Sequence, residues 1–120
     1  MGRLGILLFT SPVQHRASET VAGIAGAAAD AGHEVRIFCL GDGVYNTSRA
    51  IAAVSDDNPV RRLAALGPRA DLVSCTTCAR FRGLAEGDLV PNGRLGTLED
   101  LSELLAGSDR FLTFSTEDAP

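Results

Sequence analysis

Ala70-Asp71-Leu72-Val73-Ser74-Cys75-Thr76-Thr77-Cys78-Ala79-Arg80-Phe81-Arg82-Gly83 opens as one kind of element and closes as another. The short apolar run 70–73 reads as a buried strand, and the spacing then switches to one that suits a helical turn. Cys75 therefore falls where a strand ends and a helix begins, with Arg80 and Arg82 close behind. A thiol at a helix N-terminus feels the positive end of the backbone dipoles, which favours the thiolate, its nucleophilic form. The other elements are expected to hold this sulfur in place.

Upstream, Gly67-Pro68 stops a helix over 60–66, and Pro59 suits its first position after the turn Ser55-Asp56-Asp57-Asn58. A short helix fits 48–54. Before it, Gly41-Asp42-Gly43 breaks a strand over 35–40, and Val44-Tyr45-Asn46-Thr47 opens a long connection. Further back, an apolar strand over 4–9 ends at Thr10-Ser11-Pro12, and 13–16 is loop. Ser18 is a candidate cap for a helix whose Val21, Ile24, Ala25 and Ala28 share one stripe and which Gly32 stops. Downstream, 84–96 is mixed, with a turn at Pro91-Asn92-Gly93. Thr97 is a candidate cap for a helix carrying Leu98, Leu101, Leu104 and Leu105, closed by Gly107, and 110–114 is the last strand. The polar tail 115–120 reads as frayed.

Strand, helix and strand within about 35 residues make a parallel, right-handed βαβ unit. The chain thus reads as one α/β domain over 1–120, with four strands or with a short fifth. Sites in such sheets gather outside the C-terminal strand ends, at the switch point of the strand order. Thr10-Ser11-Pro12, Leu40-Gly41-Asp42 and Cys75 all lie at those ends.

Composition narrows the function. Hydrophobic residues make up 45%, charged residues 22%, and the formal charge is −4, which is ordinary for a water-soluble domain. The basic residues form no stripe and there is no Trp, which argues against nucleic acid as a direct partner. The Gly- and Ala-rich region 21–29 is too short to span a bilayer. Arg3 ahead of an apolar run superficially suggests a signal peptide, but no small-residue cleavage site closes it, so this reads as the first strand. Three cysteines, an odd number, fit a reducing cytoplasm.

Each candidate residue has two readings. Cys75 is a nucleophilic or sulfur-carrying thiol, or a small buried hydrophobe. Arg80 and Arg82 stabilise a thiolate or contact a partner protein, or are solvated surface charges. Cys78, three residues on, is a resolving or accessory thiol, or a packing residue. A thioredoxin-type couple lacks its surrounding pattern, because the pair follows the third strand with no flanking aromatic and proline. Cys39, Cys75, Cys78, His15 and His33 are too few and too scattered for a structural zinc, so no metal is expected. Cys39 reads as core, His15 as a solvated loop residue and His33 as a helix-end residue. Without Gly-Lys-Ser/Thr or G-x-G-x-x-G after the first strand, nucleotide binding has no support, and Asp42 reads as a strand-ending Asx turn.

Several pieces together resemble the DsrE/TusD-like family of sulfur-relay proteins over 4–114. They are the strand ending in Thr10-Ser11-Pro12, the small-residue helix ending Ala31-Gly32-His33-Glu34, and Asp42-Gly43-Val44-Tyr45-Asn46. Cys75 eight positions before Gly83, with Arg82-Gly83 closing the segment, and Asp109-Arg110 entering the last strand complete the set. The resemblance implies a flavodoxin-like, three-layer α/β/α fold without flavin or other cofactor. It also implies assembly as a homo- or hetero-oligomer, a trimer or hexamer. Cys75 matches the cysteine that takes persulfide sulfur from a donor protein and passes it to an acceptor, in tRNA thiolation or in oxidation of reduced sulfur. Cys78 departs from the family pattern, where that position is usually small and apolar. A persulfide carrier, a non-catalytic assembly or regulatory subunit, and a dithiol redox protein using Cys75 and Cys78 therefore all stand as expectations.

Overall fold

Five short strands form a sheet with apolar residues on both faces, each face buried against a separate helical layer. The computed structural model describes residues 1–115. In chain order the elements are β1 (Arg3–Leu8), α1 (Ala17–Asp30), β2 (Glu34–Cys39), a 3-10 stretch (Gly41–Thr47), α2 (Arg49–Ala52) and α3 (Pro59–Ala65). Next come a 3-10 turn (Gly67–Arg69), β3 (Ala70–Cys75), α4 (Thr76–Phe81) and a second turn (Glu86–Asp88), then β4 (Gly93–Gly96), α5 (Leu98–Gly107) and β5 (Arg110–Phe114). The strands form one all-parallel sheet in the order β4-β3-β2-β1-β5. The frayed tail expected over 115–120 lies, from residue 116 on, outside the described residues.

On one face Ile6, Leu8, Val35, Ile37, Cys39 and Leu72 pack beneath Val21, Ala25 and Ala29 of α1 and Val60 and Leu63 of α3. On the other, Phe38, Val73 and Cys75 meet Leu104, with Leu101, Leu7 and Phe111 at the margin. The sheet is therefore covered by α1 and α3 on one side and by α5 on the other. Right-handed crossovers explain this split: β1, β2, β3 and β4 step steadily one way, while the β4-to-β5 return runs back across the sheet. The order reverses beside β1, between β2 and β5. Cys75 sits at a C-terminal strand end as expected, but on β3, two strands from that reversal.

The local signals resolve individually. Asn58 caps α3, its side chain accepting from Arg61 N at 3.0 Å, and Pro59 takes the first helical position. Ser48 caps α2 in the same way through Ile51 N. Gly32 ends α1 with φ +88°, a left-handed conformation that glycine adopts without strain. Ser18 does not cap α1: Arg16 holds that position without a side-chain bond, and Ser18 is buried inside the helix. Leu98 and Leu105 of α5 face outward, leaving Leu104 as the buried anchor. The fifth strand exists as β4, pairing with β3 from Leu72↔Gly93 to Cys75↔Gly96. Among the described residues no helix is long and apolar enough to cross a membrane.

Candidate functional site

Cys75 is both the last residue of β3 and the N-cap of α4, as its position in the sequence suggests. Strand alternation turns its side chain to the α5 face, beside Phe38, Val73 and Leu104, and the residue is 8% exposed. Ser74, one step back, points to the opposite face. Its hydroxyl is 2.9 Å from that of Thr47, and Thr47 donates to Val44 O at 2.7 Å. Thr76 fastens the start of α4 to the neighbouring strand by donating to Gly96 O at 2.8 Å. The cysteine is thus held between two short tethers, one to the 41–47 stretch and one to β4.

Cys78 lies in α4 at the C-terminal rim of the sheet, where it packs against both hydrophobic clusters and remains half-buried. Of Cys75 and Cys78 it is the more open. Arg82 does not bond Cys75. Its Nε donates to Asp42 Oδ1 at 2.8 Å and one terminal nitrogen to Cys78 O at 3.0 Å. The hydrogen bond to Asp42 holds the Arg82 guanidinium above the usual arginine range; the charges of Asp42, Cys78 and Tyr45 add to this, and partial burial opposes it. Arg82 therefore bridges the 41–47 stretch to α4. Arg80, in the last turn of α4, is exposed and has no side-chain hydrogen bond or ion pair among the described residues.

Asp42 is a correction to the sequence reading. Its carboxylate forms this ion pair rather than an Asx turn. The two residues stand 40 apart in sequence, so no spacing rule could have joined them.

A second group that sequence reasoning missed centres on the 41–47 stretch. Asn46 is buried; its Oδ1 accepts from Ser18 Oγ at 2.6 Å, and its Nδ2 donates to Thr10 O and Gly43 O, each at 2.9 Å. One amide thereby joins the end of β1, the start of α1 and the 3-10 stretch. Gly43 is required by a close approach: a Cβ there would collide with the carbonyl oxygen of Leu8.

The remaining candidates stay apart from the thiols. Cys39 is buried on the α1–α3 side, where burial pushes its thiol up to about 12 while a hydrogen bond with Ser74 pulls the other way. His33 Nδ1 accepts from Gly2 N at 2.9 Å, at the N-terminal end of the strands and away from Cys75 and Cys78. His15 ends the turn after β1, its backbone N–H on Ser11 O. Among the described residues no three His, Cys, Asp or Glu side chains gather as a metal-binding group.

The DsrE/DsrF-like family model matches residues 3–114. A protein of Allochromatium vinosum named "Putative sulfurtransferase DsrE" is 35% identical over 118 residues, covering 86% of this chain and 91% of that protein. An uncharacterized protein of Methanocaldococcus jannaschii is 34% identical over 84 residues, 69% of this chain and 74% of that one. Among solved structures, the E. coli ychN protein superposes with a TM-score of 0.76 at 21% identity, covering 95% of this chain and 100% of that one. A Bacteroides thetaiotaomicron protein of unknown function gives 0.70 at 18%, over 94% and 95%. These structural likenesses carry the fold.

Proposed function

We propose that this chain, which belongs to the DsrE/DsrF-like family, transfers sulfur and does so by carrying sulfane sulfur as a persulfide on Cys75. The observation that carries the reading is the position of that thiol. It terminates an interior strand at the C-terminal edge of a parallel sheet and caps the following helix. The resemblance to a relative named as a sulfurtransferase supports the general role.

In this account the Cys75 thiolate attacks the outer sulfur of a donor protein's persulfide. The donor thiolate leaves and Cys75 becomes the persulfide; a thiolate of the acceptor protein then takes the same outer sulfur. Oxidation states are conserved and no cofactor is needed. Exposed Arg80 offers a charge for a donor or acceptor to meet, whereas Arg82 serves by pinning the backbone of Cys78. The carrier works in the cytoplasm as part of a homo- or hetero-oligomer, a trimer or hexamer, and serves tRNA thiolation or the oxidation of reduced sulfur.

Loading with radiolabelled cysteine and a cysteine desulfurase tests the assignment. Cys75→Ser is expected to abolish retention of label, while Cys78→Ser keeps most of it. Equal loading of the Cys75→Ser protein sinks the assignment.

One observation favours a second reading, a non-catalytic subunit whose thiols only pack: the 8% exposure of Cys75. That reading predicts that Cys75 alkylates no faster than an ordinary thiol and takes no sulfur from any persulfide donor.

A further inference from the structure

Two thiols with the spacing of a dithiol couple meet at the start of α4, and persulfide transfer by Cys75 leaves the second without a task. Cys75 ends β3 and Cys78 follows three residues later, against the same Phe38–Val73–Leu104 cluster that holds Cys75. Cys75 is the N-cap of α4 and Cys78 lies in its first turn, so the two thiols flank the start of one six-residue helix, and a disulfide between them would bring their Cβ atoms to about 3.5–4.5 Å. Cys78 is the more open thiol, and Arg82, itself bonded to Asp42, holds the Cys78 backbone through its carbonyl. Cys39 is excluded as the partner because it is buried on the opposite face.

We propose that Cys78 discharges the persulfide of Cys75, releasing hydrosulfide and closing a Cys75–Cys78 disulfide. The inference rests on the reading of Cys75 as the sulfur-bearing thiol. Cys78 loses its proton to solvent, and the thiolate attacks the inner sulfur, Sγ of Cys75. A bond forms between the two protein sulfurs, the bond from Sγ to the outer sulfur breaks, and the outer sulfur leaves with the electron pair and its hydrogen as HS⁻. The sulfane sulfur is reduced by two electrons and the two cysteine sulfurs together give up two, so the step needs no outside oxidant. Hydrosulfide is a weaker base than a cysteine thiolate and so the better leaving group. A cellular thiol or dithiol reductant reopens the disulfide. The chain thereby acquires a second output, free sulfide, in competition with delivery to an acceptor protein.

The test loads wild type, Cys78→Ser and Cys78→Ala with inorganic polysulfide, removes the excess anaerobically, and follows intact mass and trapped sulfide without reductant. Wild type is expected to pass from about +32 Da to about −2 Da relative to the reduced chain, releasing sulfide as it does so. Peptide mapping should then find Cys75 joined to Cys78. Both variants should hold the added sulfur at least about tenfold longer, as expected when the resolving thiol is missing. Loading followed by equally slow loss in wild type and variants, with no disulfide, overturns the discharge step and leaves Cys75 as a carrier. Loss of loading in both Cys78 variants also overturns it, because Cys78 would then be needed to accept sulfur. Failure of every protein to load overturns the persulfide reading itself.

Discussion

At Cys75 the chain places a thiol on a strand end and covers most of it with Phe38, Val73 and Leu104. Cys39 shows the contrasting environment, full burial in the other layer. Its thiol is pushed up from the ordinary value near 9 to about 12, chiefly by desolvation. Iodoacetamide at neutral pH should accordingly leave Cys39 unmodified in the native protein and modify it on unfolding; native labelling of Cys39 would contradict its placement. The same shift has a sign. A folded-state value above the unfolded one gives stability that is intact below about pH 9 and is lost as pH rises toward about 12. Cys39→Ala should flatten that alkaline part of the stability profile. Asn46 makes the strongest structural prediction at this scale. Asn46→Ala removes bonds to Ser18, Thr10 and Gly43 in a buried site and should cost about 3 kcal/mol in urea unfolding. A loss below about 1 kcal/mol would show that these bonds do not organise the 41–47 stretch.

Elements show where sequence patterns suffice and where they stop. The strand-to-helix switch at Cys75, the Asn58-Pro59 helix start and the Gly32 stop are local chemistry, and each stands where the residues place it. Ser18 and Asp42 depart from their sequence readings for one physical reason. Both carry short polar side chains with plausible local partners, yet each bonds a residue that only the folded chain brings near, Asn46 and Arg82. At α5, Asp100 Oδ2 accepts from Thr97 N at 2.8 Å, and this bond, helped by Arg94 and opposed by burial, holds its carboxyl below the usual range. Stability from Asp100 is therefore present at neutral pH and lost as pH falls below about 4 through the folded value. Asp100→Asn should remove about 1 kcal/mol at pH 7 and less as pH falls below about 4; a difference that does not change with pH over that range would contradict the capping role.

Over the whole molecule, parallel order and the choice of faces follow from crossover handedness, but the strand sequence β4-β3-β2-β1-β5 was not legible in the chain. Nothing local distinguishes a connection that steps to the next position from one that returns across three strands. That return leaves α5 as the covering helix of the face to which alternation turns the Cys75 side chain. The same geometry explains why the thiol position could be read from sequence and its burial could not: alternation fixes a face, while cover depends on the distant α5. Light scattering should give a mass of three or six chains for the assembled carrier, and a monodisperse monomer at working concentrations would contradict the proposed assembly.

The persulfide assignment is tested most directly by intact-protein mass spectrometry of wild type and Cys75→Ser after incubation with a cysteine desulfurase and cysteine, without reductant, sampled early. The account predicts a gain of about one sulfur atom, ~32 Da, on wild type and none on Cys75→Ser. The same gain on both proteins would contradict it.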